Sequence, residues 1–125
     1  MGRDSADIVI LRKSNEITEV LLMKRKKEPY MGMYAIPGGK LEEGESYLEG
    51  AKRELSEETG LENIELKEIG KYDCDGVHTT AFVGVVNEEV KLIGNHESEK
   101  FVWMDVNDLP KLAANHNEKI DDAMK

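Results

Sequence analysis

Two runs of nearly continuous apolar residues constrain the fold of this chain more than any other feature of its sequence. Residues 6–12 read Ala-Asp-Ile-Val-Ile-Leu-Arg, and residues 18–24 read Thr-Glu-Val-Leu-Leu-Met-Lys. Runs of this kind, separated by turn-forming residues at 13–16, predict β-strands. A strand that is apolar on both faces needs cover on both faces. The two runs therefore predict strands inside a sheet that lies between two other layers.

One helix with clear signals at both ends is predicted at 47–59. Ser46 can cap its first turn, and Glu49 can return the hydrogen bond three residues later, which is a capping box. Gly60 stands where a glycine in the left-handed conformation would end the helix. Four residues on one stripe of this helix are predicted to pack on the sheet: Leu48, Ala51, Leu55 and Thr59.

The remainder of the chain predicts further strands and two short helices. Residues 29–39 contain Pro, Gly and aromatic residues, and they read as a loop with a short strand at 34–36. The other strands are placed at 64–72, 79–86 and 100–104, and the helices at 106–114 and 116–124. Pro110 would interrupt or bend the first of these helices. We expect an α/β fold with a mixed sheet packed between helices, as a single domain over residues 1–125.

Charge and composition exclude several classes of partner. The net charge is −9, which disfavours non-specific binding to DNA, RNA or anionic lipid, so no stable nucleic-acid partner is expected. No apolar stretch approaches the roughly 20 residues that cross a bilayer, so no membrane association is expected. Cys74 is the only cysteine. It allows no intramolecular disulfide, which fits a cytoplasmic location.

The charges of the central region are segregated along the chain. Residues 24–27 are all basic, whereas residues 42–62 hold eight glutamates against Lys52 and Arg53. Glu54, Glu57 and Glu58 share one face of the predicted helix, and Arg53 is spaced to pair with Glu57. Three carboxylates on one turn repel one another unless a cation such as Mg²⁺ or Mn²⁺ lies between them. The alternative is a solvated acidic face.

A longer motif favours the cation site. From Gly39 to Leu61 the chain has glycine, five residues, Glu45, seven residues, Arg53-Glu54-Leu55, one residue, Glu57-Glu58, one residue and Gly60-Leu61. This pattern resembles the Nudix box at every fixed position. The residues on either side of it, at 21–25, 34–39, 101–104 and 108–110, also resemble the family. The resemblance implies the Nudix α/β/α sandwich.

By the same resemblance, the metal ligands would be Glu57, Glu58, the Gly38 carbonyl and Glu54. Glu54 would bind metal or help to activate water, and Arg53 would orient a catalytic glutamate. Glu45 would be a peripheral metal residue or would only stabilise the start of the helix. The cofactor would be Mg²⁺ or Mn²⁺. The family often takes its base, or a further ligand, from a loop outside the box. Glu97 and Glu99 are the candidates, and the spacing of Glu97 to Trp103 favours Glu97. The alternative is that both are solvated charges.

The implied reaction is hydrolysis of the pyrophosphate linkage in a nucleoside diphosphate derivative. The segment 24–34 resembles that of ADP-ribose pyrophosphatases, which makes ADP-ribose or a related small nucleotide the first substrate. Those enzymes commonly have a proline where this chain has Gly76. Lys40 resembles the residue after the paired glycines in antimutator NTP pyrophosphohydrolases, so an NTP substrate stays open.

A small nucleotide would also need contacts outside the box. Arg25 could hold a phosphate, Tyr34 could stack on a base, and Lys40 could bind the substrate, although each is as easily a surface or packing residue. A homodimer is compatible with the sequence. A nucleotide-sensing Nudix module without catalysis is a further alternative, although such modules usually have a broken box.

Overall fold

The structure is a computed structural model of the 125-residue chain, and it describes residues 3–14, 16–26, 28, 30–74, 76–87 and 101–125. These residues form seven strands and two helices. The elements are β1 (Asp4–Ser14), β2 (Ile17–Lys24), β3 (Tyr34–Ala35), β4 (Gly38–Lys40), α1 (Tyr47–Thr59), β5 (Lys67–Cys74), β6 (Val77–Val86), β7 (Phe101–Asp105) and α2 (His116–Ala123).

The described strands make one mixed sheet, as the sequence predicts. The order is β3-β2-β1-β6-β5, with β7 beside β2 and β4 beside β1. Only the pair β1 and β6 is parallel in this set, and it runs from Asp4 opposite His78 to Arg12 opposite Val86. The other edge of β1 is divided, because β2 pairs with residues 11–14 and β4 pairs with residues 5–7. The segment 36–40 therefore lies where β2 and β4 separate.

A helix covers each face of this sheet. Alternate residues of β1 point to opposite sides, so Ile8 joins one core cluster and Val9 joins the other. The cluster under α1 contains Ala6, Ile8, Ile10, Leu21, Ala51, Leu55, Leu61, Phe82 and Val86. The cluster under α2 contains Val9, Leu11, Val20, Leu22, Ile36, Leu112 and Ile120. The two clusters confirm the sheet between helices.

Helix α1 has the predicted ends. Ser46 Oγ accepts from the Glu49 amide at 3.1 Å, and the Ser46 amide donates to Glu49 Oε1 at 2.8 Å. Gly60 has a φ of 80°, and its amide donates to the Ser56 carbonyl. The predicted packing stripe is wrong at Leu48, which is 38% exposed. Tyr47 packs against the core cluster in its place.

Three sequence-based placements differ from the structure. The predicted helix at 106–114 does not form, because three of its backbone amides donate to groups outside a helical pattern. The Asn107 amide donates to Asp105 Oδ1, the Leu112 amide to Asn117 Oδ1, and the Ala113 amide to the Tyr34 carbonyl. The predicted loop contains β4 at Gly38–Lys40. The strand predicted at 64–72 begins later, at Lys67. Within the described ranges, neither helix is long and apolar enough to span a membrane.

Candidate active site

The Gly38-Gly39 backbone of β4 lies directly against the acidic face of α1. The Gly38 amide donates to Glu58 Oε1 at 3.0 Å. A Cβ added to Gly39 would lie 2.6 Å from Glu54 Oε2, so the absence of a side chain at Gly39 gives the Glu54 carboxylate its place. The glycine pair of the motif thus meets two of its three helical glutamates.

Glu58 and Glu54 are withdrawn from solvent. Burial raises the pKa of Glu58 to about 8, against the lowering effect of its hydrogen bond from Gly38. Burial also raises the pKa of Glu54, whereas the charge of Arg53 opposes this shift. A buried carboxylate with a raised pKa lacks enough positive charge nearby. A cation bound here would therefore stabilise the ionised forms of both carboxylates.

Arg53 gathers the acidic side chains around α1. Its Nη1 lies 3.1 Å from both Glu54 Oε2 and Glu57 Oε1, which confirms the predicted pairing with Glu57. Its Nε and Nη2 bond to Glu45 at 2.6 Å and 3.1 Å, and Nη2 also donates to the Lys40 carbonyl at 3.0 Å. Only the Glu57 bond follows from helical spacing, so the other contacts were not predicted.

Glu45, in the loop before α1, fixes the Arg53 side chain through hydrogen bonds. The Arg53 guanidinium lowers the pKa of Glu45, and Glu45 Oε1 also accepts from the Glu42 amide at 2.7 Å. Gly50 leaves room for Leu41 of the same loop, since a Cβ there would overlap the Leu41 side chain. Of the two roles left open for Glu45, these contacts support the stabilising one.

The side chains present fit a hard divalent cation by their chemistry. Glu54, Glu57 and Glu58 offer carboxylate oxygens on one helical turn, and Gly38 adds a backbone oxygen. Among the residues that the structure describes, however, no three acidic, histidine or cysteine side chains are already grouped as ligands. Arg53 Nη1 is bonded to both Glu54 and Glu57, which places a guanidinium beside their oxygens. Glu57, the third of these carboxylates, is 55% exposed.

Behind the glycine pair lies a buried polar cluster that the sequence did not predict. Lys119 Nζ donates to Asp7 Oδ2 at 2.6 Å, and His116 Nε2 is 3.5 Å from the same oxygen. His116 Nδ1 accepts from the Ile36 amide at 3.1 Å. His116 therefore has a structural role, with both ring nitrogens directed at groups of the fold. Asp7 and Lys119 are 112 residues apart, and their pairing left no signal in the local sequence.

The remaining predicted site residues lie around this core. Tyr34 is half-buried against the α2 cluster, and Lys40 is exposed, with its carbonyl bonded to Arg53. Arg25 is half-buried, and its backbone closes the following loop through bonds with Met33 and Gly32. Their substrate contacts stay predictions. Glu97 and Glu99 lie outside the described residues.

Comparisons with known proteins agree with this geometry. A family model described as the NUDIX domain matches residues 1–124. An ADP-ribose pyrophosphatase of Methanocaldococcus jannaschii is 34% identical over 123 residues, which cover 93% of this chain and 70% of the relative. A Bacillus subtilis protein provisionally named an 8-oxo-dGTP diphosphatase is 31% identical over 127 residues, which cover 98% of this chain and 80% of that relative.

A solved structure gives the same result for the fold. The crystal structure of a MutT/nudix family protein from Enterococcus faecalis matches with a TM-score of 0.85 at 24% identity. The match covers 98% of this chain and 61% of that protein. The chain therefore spans less than two thirds of the length of this structural relative. With the family model matched from residue 1 to residue 124, the chain belongs to the Nudix hydrolase family.

Proposed function

We propose that this chain hydrolyses the pyrophosphate linkage of ADP-ribose or a related small nucleotide, with Mg²⁺ or Mn²⁺ as cofactor. The proposal is supported by the contacts of Glu54 and Glu58 with the Gly38-Gly39 backbone. Arg53 also donates hydrogen bonds to Glu54 and Glu57. Glu54, Glu57, Glu58 and the Gly38 carbonyl would hold the cations. Divalent cations, when bound there, would neutralise the pyrophosphate oxygens and orient the linkage for attack.

The roles of the protein groups follow from their surroundings. Water adds to one phosphorus atom, the bridging P–O bond breaks, and the proton of the water must be accepted by a nearby base. Glu54 is proposed for this role because its carboxylate lies against the Gly39 backbone, where α1 meets β4. Arg53 would hold the Glu54 and Glu57 carboxylates in place. Glu97 remains the proposed base or extra ligand outside the motif.

Two observations bear on the substrate. The Methanocaldococcus jannaschii relative is named for ADP-ribose, and the segment 24–34 resembles such enzymes. The Bacillus subtilis relative is named for an oxidised dGTP. Lys40 keeps an NTP substrate open, and Gly76 counts against ADP-ribose. An NTP pyrophosphohydrolase that releases NMP and pyrophosphate is therefore the second candidate. Arg25, Tyr34 and Lys40 are proposed substrate contacts in either case. The cytoplasmic location and the homodimer also stay predictions.

A panel of substrates separates these candidates. Purified protein is given ADP-ribose, NTPs, 8-oxo-dGTP, NADH or dinucleoside polyphosphates with Mg²⁺ or Mn²⁺, and products are resolved by chromatography. The proposal predicts AMP and ribose 5-phosphate from ADP-ribose, and no cleavage when the metal is chelated. If ADP-ribose stays intact and an NTP gives NMP and pyrophosphate, the second candidate replaces the first. Tight nucleotide binding without any cleavage would indicate the sensing module.

A further inference from the structure

A buried ion pair links the last helix to the strand that pairs with β4. Asp7 on β1 is 8% exposed, Lys119 on α2 is 3% exposed, and their charged atoms are 2.6 Å apart. Burying two charges carries a desolvation penalty that their attraction often only balances. An apolar pair of similar volume would commonly stabilise a fold as well. Stability alone is therefore a weak reason for these charges to lie here.

The position of Asp7 suggests a different reason. Asp7 is the register partner of Gly38, and its carboxylate lies so close that any Cβ at Gly38 would overlap Asp7 Oδ1. The Gly38 amide in turn donates to Glu58 Oε1 at 3.0 Å. One continuous set of contacts therefore runs from Lys119, through Asp7 and Gly38, to a carboxylate of the proposed cation site.

The neighbouring residues of this segment are fixed from other elements. The Ile36 amide donates to His116 Nδ1 of α2 at 3.1 Å, and the Pro37 carbonyl accepts from the Ile8 amide of β1 at 2.9 Å. His116 Nε2 also faces the paired oxygen of Asp7 at 3.5 Å. Residues 36, 37 and 38 are thus held in succession by α2, β1 and α1, at the place where the sheet divides.

We propose that Asp7, Lys119 and His116 are positioning residues that hold the Gly38 backbone against Glu58 for cation binding. The inference rests on the proposed function, because it assigns these residues to the same cation site. None of the three would contact the cation or the substrate. They would act by keeping a backbone oxygen and the partner amide of Glu58 in one arrangement. Groups that support metal ligands in this way typically change metal affinity by about 10- to 100-fold when they are altered.

The test uses the full chain and Mn²⁺ alone as the probe. Mn²⁺ affinity is measured by electron paramagnetic resonance, and the free energy of unfolding by urea titration without metal. Lys119→Met leaves Asp7 buried without its partner and is expected to destabilise the fold. The double variant Asp7→Asn with Lys119→Met removes both charges and is expected to recover most of that stability. Its Mn²⁺ dissociation constant is nevertheless expected to rise about tenfold or more.

A matched control separates positioning from the general docking of α2. Tyr72→Phe removes the 2.6 Å hydrogen bond to Asp122 on α2 but keeps the ring near Lys119. This variant is expected to bind Mn²⁺ as the wild type does. His116→Phe removes both contacts of His116 and keeps the Asp7–Lys119 ion pair, so it is a second variant in case the double variant does not fold. It is expected to weaken Mn²⁺ binding in the same direction.

The outcomes distinguish this inference from the proposed function. The inference is overturned if folded double and His116→Phe variants bind Mn²⁺ as tightly as the wild type does. It is also overturned if Tyr72→Phe weakens Mn²⁺ binding as much as the double variant does. Any change that loosens the packing of α2 would then be enough to weaken Mn²⁺ binding. A wild-type chain that binds no Mn²⁺ would overturn the proposed function, and this inference with it.

Discussion

Arg53 binds Glu45 through two hydrogen bonds, from Nε at 2.6 Å and from Nη2 at 3.1 Å. A carboxylate in the loop before α1 thereby fixes a guanidinium in the middle of the helix. That guanidinium still reaches Glu54 and Glu57 through Nη1. The hydrogen bond that Arg53 donates to Glu45 raises the pKa of Arg53, with smaller contributions from neighbouring carboxylates, so the positive charge is permanent. The two residues together set the directions of the proposed ligands.

Arg53→Lys is expected to lower hydrolysis by about 10²-fold, because small displacements of catalytic groups have effects of this size. A lysine keeps the charge but cannot bond Glu45, Glu54 and the Lys40 carbonyl from one planar group. Steady-state kinetics at saturating Mg²⁺ provide the measurement. Lys52→Gln, at an exposed position on the same helix, is the matched control and should keep wild-type activity. An Arg53→Lys enzyme as active as this control would refute the orienting role.

Gly39→Ala is expected to impair hydrolysis more than stability. Its Cβ would lie 2.6 Å from the Glu54 carboxylate, which can rotate away but would then leave its place in the site. Gly38→Ala is the comparison, since its Cβ would lie 2.5 Å from the backbone oxygen of Ala6. Overpacking against backbone should destabilise that variant by about 1–3 kcal/mol. Urea unfolding and kinetics on both variants test the contrast, and a fully active Gly39→Ala would contradict it.

Glu58→Gln is expected to abolish stabilisation by metal while leaving the metal-free fold as stable as before. Burial raises the pKa of Glu58 to about 8, so the metal-free carboxyl is mostly protonated at pH 7 and resembles an amide. For the wild type, a cation at 100 times its dissociation constant should add about 3 kcal/mol. Thermal unfolding with and without Mn²⁺ checks this, with Glu62→Gln as the control. Equal stabilisation of both variants would remove Glu58 from the cation site.

His116 is expected to make the fold less stable as the pH falls from about 6.5 to about 4. Burial lowers the pKa of His116 to about 4 in the folded chain, against an ordinary value of 6.5. Between these values the unfolded chain binds the additional proton, so acid favours unfolding. The difference corresponds to roughly 3 kcal/mol at most. Urea unfolding across this range should show a smaller slope for His116→Asn than for His78→Asn, whose imidazole is exposed. Identical slopes would contradict the assignment.

Local signals predicted the central helix well, because each of its caps is formed between residues that are only a few positions apart in the chain. Ser46, Glu49 and Gly60 set the observed bounds of α1. The α/β/α layers also followed from the doubly apolar strands. Residues 106–114 were wrongly predicted as a helix, since their amides bond to side chains and to β3. Leu48 was wrongly placed in the core, because helical periodicity alone does not fix how a helix is rotated against its sheet.

The candidate site was predicted in part. The motif placed Glu54, Glu57 and Glu58 on one turn, and the spacing paired Arg53 with Glu57. Contacts between residues that are farther apart in the chain could not be predicted from the sequence. The bonds of Arg53 to Glu45 and to the Lys40 carbonyl span 8 and 13 residues, and Asp7 pairs with Lys119 across 112. Such pairs depend on how strands and helices are brought together, which periodicity does not encode.

The carboxylates of α1 are proposed to form a cation-dependent hydrolytic site. The most direct test is Mg²⁺-dependent cleavage of ADP-ribose or 8-oxo-dGTP by the wild type beside Glu57→Gln, with Glu62→Gln as the control on the same charged segment. Glu57→Gln is expected to lose nearly all cleavage at every Mg²⁺ concentration, whereas Glu62→Gln is expected to retain it. Cleavage by Glu57→Gln at the wild-type rate, or cleavage that continues after all divalent metal is removed, would show that these carboxylates do not form such a site.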